Sequence, residues 1–299
     1  GEFDLLILCL AGWIPSHAVI AVADRFRHLP MVLLGLTGRH ESGRFVTTAD
    51  QAGTTALRQP MTDLGYRFKY VVTMRGEEPP VERVVSYARA ARAAARLRGA
   101  RIGSMGYRDM RLYGTLHEGI SLRGQIGPEV ECFEMLEMVQ AMAGLGEAVV
   151  SALAEEVRGR WEFVKDPRPG TIENTVRLYL ALHGKVAERG YEALTLLDVD
   201  GVKKLLGFAP AGVFMLLHEQ DDICTVPEND IPGAVTQLMV RAVTGQVGAY
   251  LEFYEFQPDG MLMGVPDYVP TEVVDGPVRV LPTAFGEFGE GLLNVSKMR

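Results

Sequence analysis

The chain has 299 residues, 47% of them hydrophobic, a formal charge of −8 and a pI near 5.4. That length allows two packed domains or three small ones, each with its own core. The acidic balance, with no Lys/Arg block interleaved with aromatics, argues against a nucleic-acid partner. The first apolar run, just after Asp4, is far short of the ~20 residues that span a bilayer, and no basic segment precedes it as in a signal peptide. Cys9, Cys132 and Cys224 have no CxxC spacing. This fits a reducing, cytoplasmic setting and gives no sign of a zinc knuckle or disulfide framework.

Phe3 to Leu10 reads as a buried parallel strand, apolar without alternation because both sheet faces are covered. Val19 to Phe26 reads as a short helix, Pro30 to Leu36 as a strand, 48 to 63 as a helix and Phe68 to Met74 as a third strand. This βαβαβ order predicts a doubly wound α/β domain over residues 1–98. Arg75 to Pro80 is polar and Pro-rich, and leads into an Ala/Arg helix running to about Leu97. Arg101 to Met105 restarts the strand pattern, and Val130 to Phe133 follows. Residues 135 to 158 and 171 to 189 read as helices. In the latter, Val176, Leu178, Leu180 and Leu182 also alternate as a strand would. A second doubly wound α/β domain is expected over 99–247. Strand-like runs at 248–256, 261–264 and 278–281 then begin a mostly β domain over 248–299, or else add strands to the second domain.

Glu228 and Glu252 stand at opposite ends of one apparent helical crossover, where loops meet regular elements. In open α/β sheets such places form the ligand crevice. Two carboxylates there suit a divalent metal, or a proton moved on and off carbon. Asp230, before Ile231-Pro232, is a natural helix N-cap. Glu252 sits in an otherwise apolar strand and needs a partner if buried. Glu255 competes with it, and strict alternation would aim the two at opposite faces. His218 is a possible metal ligand, but a surface loop is the favoured reading there. Trp13 offers an indole that can stack on a sugar or pack in a core or interface. No GxGxxG, P-loop or nucleophile-elbow motif occurs.

The pattern resembles the L-fucose isomerase family and the related L-arabinose isomerases. Arg101 to Arg108 and on to Tyr113-Gly114 resembles the start of the family's second domain. Gln125 to Cys132 is similar to its next strand region. Glu228-Asn229-Asp230, followed by Leu238 and Val243-Thr244-Gly245-Gln246, resembles the first metal-ligand segment. Tyr250-Leu251-Glu252 resembles the second, and Ala11-Gly12-Trp13 the place of a tryptophan presented to a neighbouring subunit's sugar. The resemblance implies an aldose–ketose isomerase, an intramolecular oxidoreductase of carbohydrate metabolism acting through an enediol. It implies Mn²⁺, with Mg²⁺ as an alternative, held by Glu228 and Glu252, which also move the proton. It further implies Trp13 as a sugar-binding residue and a homo-oligomer such as a hexamer. The family's third ligand is a histidine in the C-terminal domain, whereas no histidine follows His218 here. Where arabinose isomerases place a further histidine, the sequence reads Met263-Gly264-Val265-Pro266-Asp267. The family's first strand and helix have no counterpart before Phe3. The expectation is therefore a piece of a longer protein; a homologue that binds sugar or assembles without catalysis is the alternative.

Overall fold

The computed structural model describes residues 3–265, 268–284 and 286–299. The fold is α/β, built from parallel sheets flanked by helices, in two compact units that divide between Arg96 and Leu97. The first unit contains β1 (Leu6–Cys9), α1 (Ser16–Ala23), β2 (Met31–Gly35), the hairpin β3 (Arg39–Glu41) and β4 (Arg44–Val46), α2 (Asp50–Asp63) and β5 (Phe68–Val72). Its sheet is parallel, in the order β1-β2-β5. Val19 and Ala23 of α1 and Leu57 and Met61 of α2 bury the face that carries Leu6, Leu8, Met31 and Leu33. β1 differs from its sequence reading. It is an edge strand, and its alternate residues point away from those helices, so Ile7 remains 47% exposed. Its apolar run without alternation therefore does not reflect two covered faces.

α3 (Val81–Gly99) leads into the second unit. There follow β6 (Arg101–Met105), α4 (Gly119–Gln125), β7 (Glu129–Phe133), α5 (Met135–Ala143), α6 (Glu147–Arg160), β8 (Glu162–Phe163), α7 (Thr171–Arg189) and β9 (Ala193–Leu196). A π-helical stretch, Asp198–Leu206, precedes α8 (Ala211–Asp221), β10 (Cys224–Val226) and α9 (Ile231–Thr244). The unit ends with β11 (Glu252–Gln257), β12 (Gly260–Gly264), β13 (Arg279–Ala284) and β14 (Glu290–Asn294). The single helix read over 135–158 is two. Gly144 closes α5 and Gly146 caps α6, and the axes differ by 103°. Residues 171 to 189 are helical, not a strand. Their ends are set by Gly170 and Gly190, both left-handed, a conformation glycine adopts without steric cost.

The main sheet of this unit is parallel, in the order β10-β9-β6-β7. One face carries Met105, Phe133, Leu194 and Leu196 and packs on the layer of α5 to α8. The other carries Ile102, Ala193, Cys224 and Val226 and packs on α9, with Leu122 of α4 alongside. The chain leaves β6 toward β7 on one side and returns to β9 on the other. The β6/β9 boundary is thus a topological switch point, where the strand ends diverge into a crevice. Residues 248–299 lie in this same unit: β13 pairs with β8 in parallel and with β14 antiparallel. α8 packs against both α7 and β14, and every residue from Ala211 to His218 is buried. A helix apolar all round belongs in such an interior.

Candidate functional site

β10 stops at Val226, and two consecutive non-glycine residues then adopt left-handed backbone: Glu228 (φ 62°) and Asn229 (φ 53°). That conformation disfavours L-residues, though asparagine tolerates it better than most. The turn is held by the fully buried Asn229. Its backbone N–H donates to Leu196 O at 3.0 Å, and its Nδ2 donates to Ser104 Oγ and Met105 O, each at 3.0 Å. The ends of β6 and β9, the two strands of the switch point, therefore fix the turn. Asn229 points into the protein and Glu228 is left half-buried at the strand ends. Asp230 is the N-cap of α9, accepting from Gly233 N at 2.9 Å, with Pro232 in the first turn. The positive end of the helix dipole favours negative charge at this spot.

α9 carries the chain away, and residues 245–251 bring it back. Gln237 Nε2 donates to Gly248 O at 2.8 Å, tying the return segment along the helix. At the start of α9 the Tyr250 hydroxyl donates to Asp230 Oδ2 at 3.0 Å. The Tyr250 ring packs partly buried against the core beneath α9. Burial raises its phenol pKa above the ordinary tyrosine value. The charge and hydrogen bond of Asp230 add to this, and so do the charges of Glu228 and Glu252. Asp230, Glu228 and Glu252 thus act on one phenol, although Glu228 and Glu252 enter from different elements. Glu252 opens β11 and is half-buried, not enclosed in an apolar strand as its neighbours in sequence imply.

The pairing of β11 with β12 changes the reading of Glu255. Glu252 lies opposite Gly264 and Phe253 opposite Met263, but Glu255 is opposite Leu262 and Phe256 opposite Met261. Tyr254 is the extra residue of a β-bulge. Directly opposed residues share a face, and Gly264 and Leu262 are two apart, so Glu252 and Glu255 lie on the same face. Phe253 and Phe256 share the other, with ring centroids 5.6 Å apart. The bulge cancels the alternation that would have separated the carboxylates. Glu255 remains exposed and accepts from Gln257 Nε2, so Glu252 is the one of the two beside Tyr250.

His218 is not in a surface loop. It is buried near the end of α8, with Nδ1 at 3.0 Å from Ile223 O and Nε2 paired with Glu272. Both ring nitrogens are engaged within the fold. Trp13 belongs to the first unit, just after β1, where its backbone N–H donates to Thr48 O at 3.0 Å and the residue is 60% exposed. The reading of Met263 to Asp267 falls partly on residues 266 and 267, outside the described residues. Among the described residues, no group of three or more His, Cys, Asp or Glu side chains is arranged to hold a metal ion. Glu228 and Glu252 would be a two-carboxylate donor set. Hard cations such as Mg²⁺ accept one or two carboxylates and complete their shell with water or substrate oxygens. Sequence reasoning missed Asn229 as the anchor of the turn and Tyr250 as the link between the two carboxylate segments. The only available signal was their immediate neighbourhood to Glu228 and Glu252. Among the described residues, no single helix is long and apolar enough to cross a membrane. No protein-family model matches this chain, and no curated protein matches it at a significant level.

Proposed function

We propose that this chain is a sugar-isomerase module, interconverting an aldose and a ketose with help from a divalent cation. The observation that carries the reading is the Tyr250 hydroxyl bond to Asp230 Oδ2 at 3.0 Å, which ties the segment leading into Glu252 to the turn that carries Glu228, beside a strained backbone at the switch point of a parallel sheet. The resemblance of these segments to those of L-fucose and L-arabinose isomerases gives the reaction class. Glu228 and Glu252 would hold Mn²⁺, or Mg²⁺ in its place. The ion would polarise the carbonyl and hydroxyl oxygens at C1 and C2 of the sugar. Glu228 takes the proton from C2 of the open-chain aldose and returns it to C1, passing through an enediol. Glu252 balances the transfer by accepting and returning the hydroxyl proton. The α9 dipole and the Asp230 bond to Tyr250 fix the carboxylates' surroundings before substrate arrives. On this reading Trp13 stacks on sugar in a homo-oligomer, and the protein works in the cytoplasm. A sugar-binding or assembly protein without turnover is the second reading, favoured by the lack of a third ligand among the described residues.

Incubation with Mn²⁺ and a panel of aldoses, with ketose formation measured, separates the two. Isomerisation that falls by at least about 100-fold in Glu228→Gln supports the enzyme, since general acid–base groups contribute about 10²–10⁴. Saturable sugar binding without turnover assigns the second reading instead.

A further inference from the structure

We infer that Tyr250 is a positioning residue: its hydroxyl, bonded to the N-cap of α9, holds Glu252 beside Glu228 so that both reach one divalent cation. The inference rests on the cation site of the proposed function. Its argument begins with chain geometry. α9 spans 14 residues, about 21 Å at a rise of about 1.5 Å per residue. Seven residues, 245 to 251, then separate α9 from β11. Fully extended they reach about 23–25 Å, so a return to the start of the helix leaves little slack. The segment has no helix or strand of its own. Side-chain bonds hold it instead: Gln237 to Gly248 midway, and Tyr250 to Asp230 at the far end.

The far end is closely fitted. A Cβ on Gly233 would lie 2.8 Å from Asp230 Oδ2 and 3.1 Å from Tyr250 Cε2, so only glycine lets the cap, the phenol and the helix start meet. Asp230 serves both neighbours at once, with Oδ1 on Gly233 N and Oδ2 on the phenol. The ring is wedged against the core beneath α9, which limits its rotation. Glu252 follows Tyr250 by two residues, so an error in the placement of Tyr250 passes directly to that carboxylate. The backbone beside Glu228 is held from another direction, through the bonds of Asn229 to the ends of β6 and β9. The Tyr250 hydroxyl thus ties the segment that carries Glu252 to the turn that carries Glu228.

The test is Mn²⁺ affinity, measured by calorimetry and by electron paramagnetic resonance on the full chain. Wild type, Tyr250→Phe, Asp230→Asn and Glu228→Gln are compared. Tyr250→Phe keeps the packed ring and removes only the hydroxyl. Asp230→Asn keeps an oxygen for Gly233 N but presents an amide that cannot accept the phenol proton, so it covers the case in which Tyr250→Phe fails to fold. Both should bind Mn²⁺ about tenfold more weakly, as expected for a lost bond to a charged acceptor, and the bound-ion spectrum should broaden. Unchanged affinity and spectrum in the variants, with wild type binding, overturn the inference and leave the isomerase reading standing. Wild type that binds no Mn²⁺ removes the cation site on which the inference rests, and overturns it together with the metal part of that reading. A lower melting temperature with unchanged affinity shows a merely structural bond, and also overturns it.

Discussion

Replacing Asn229 with alanine tests how the candidate site is held at the switch point. The substitution removes the two Nδ2 hydrogen bonds to Ser104 Oγ and Met105 O. Each contributes about 1 kcal/mol net. It also leaves a β-carbon without a compensating side chain in a left-handed turn at φ 53°, a further cost of about 1 kcal/mol. The expected loss is therefore about 3 kcal/mol, which for a unit of this size lowers the melting temperature by roughly 6–12 °C. The chain provides its own reporter. Of its two tryptophans, Trp161 is 3% exposed within the second unit and Trp13 is 60% exposed in the first. Urea unfolding followed by tryptophan emission therefore reads chiefly the unit that contains Asn229. A loss below about 1 kcal/mol would refute the claim that these bonds hold the turn.

Two further outcomes follow from the geometry. Burial, and then the hydrogen bond and charge of Asp24, push the Tyr66 phenol up to about 12. The unfolded chain ionises near 10, so it releases this proton while the folded chain keeps it. The stabilisation is full below pH ~10 and falls as pH rises toward about 12. Tyr66→Phe should flatten that part of the stability profile, and equal alkaline slopes in melts of the two proteins would count against it. His218→Ala should cost about 1–3 kcal/mol by leaving Ile223 O and Glu272 without their partner. If the proposed cation site binds Mn²⁺, its affinity should match wild type in this variant, and a loss of binding would make His218 a ligand.

The sequence makes the sheet skeleton readable because parallel strands bury compact apolar runs, as at Met31–Gly35, which follows directly on Pro30. α7 is readable because its interior lacks Gly and Pro apart from Gly184 and its ends carry Gly170 and Gly190. Asp230 is legible as a cap because the first helical turn announces itself locally. What escapes depends on distant partners. β9 and the π-helical stretch have short, mixed sequences that only the layer of α5 to α8 turns into core, and β10 becomes core only against α9. The burial of His218 needs Glu272, 54 residues away, and Tyr250 gains its role only when the chain returns to Asp230. The bulge at Tyr254 escapes for another reason. No residue pattern marks it, and the need for it lies in the opposite strand, where Gly264 makes room. A Cβ there would come within 2.5 Å of the Tyr254 ring.

That bulge gives the β11–β12 ribbon a division of labour that a regular hairpin of the same sequence would lose. With an odd residue inserted on one strand only, the acids Glu252 and Glu255 gather on one side, and Phe253, Phe256, Met261 and Met263 on the other. Pairing Tyr254 regularly, with no bulge, would keep every residue but mix the two chemistries, placing Phe256 beside Glu252, whereas the four flanking residues alternate acid and aromatic once Tyr254 is set aside. The separation of charge from grease in this ribbon is therefore a property of parity in the residue count. It tolerates substitution along the strand far better than a slip of the pairing register by one residue.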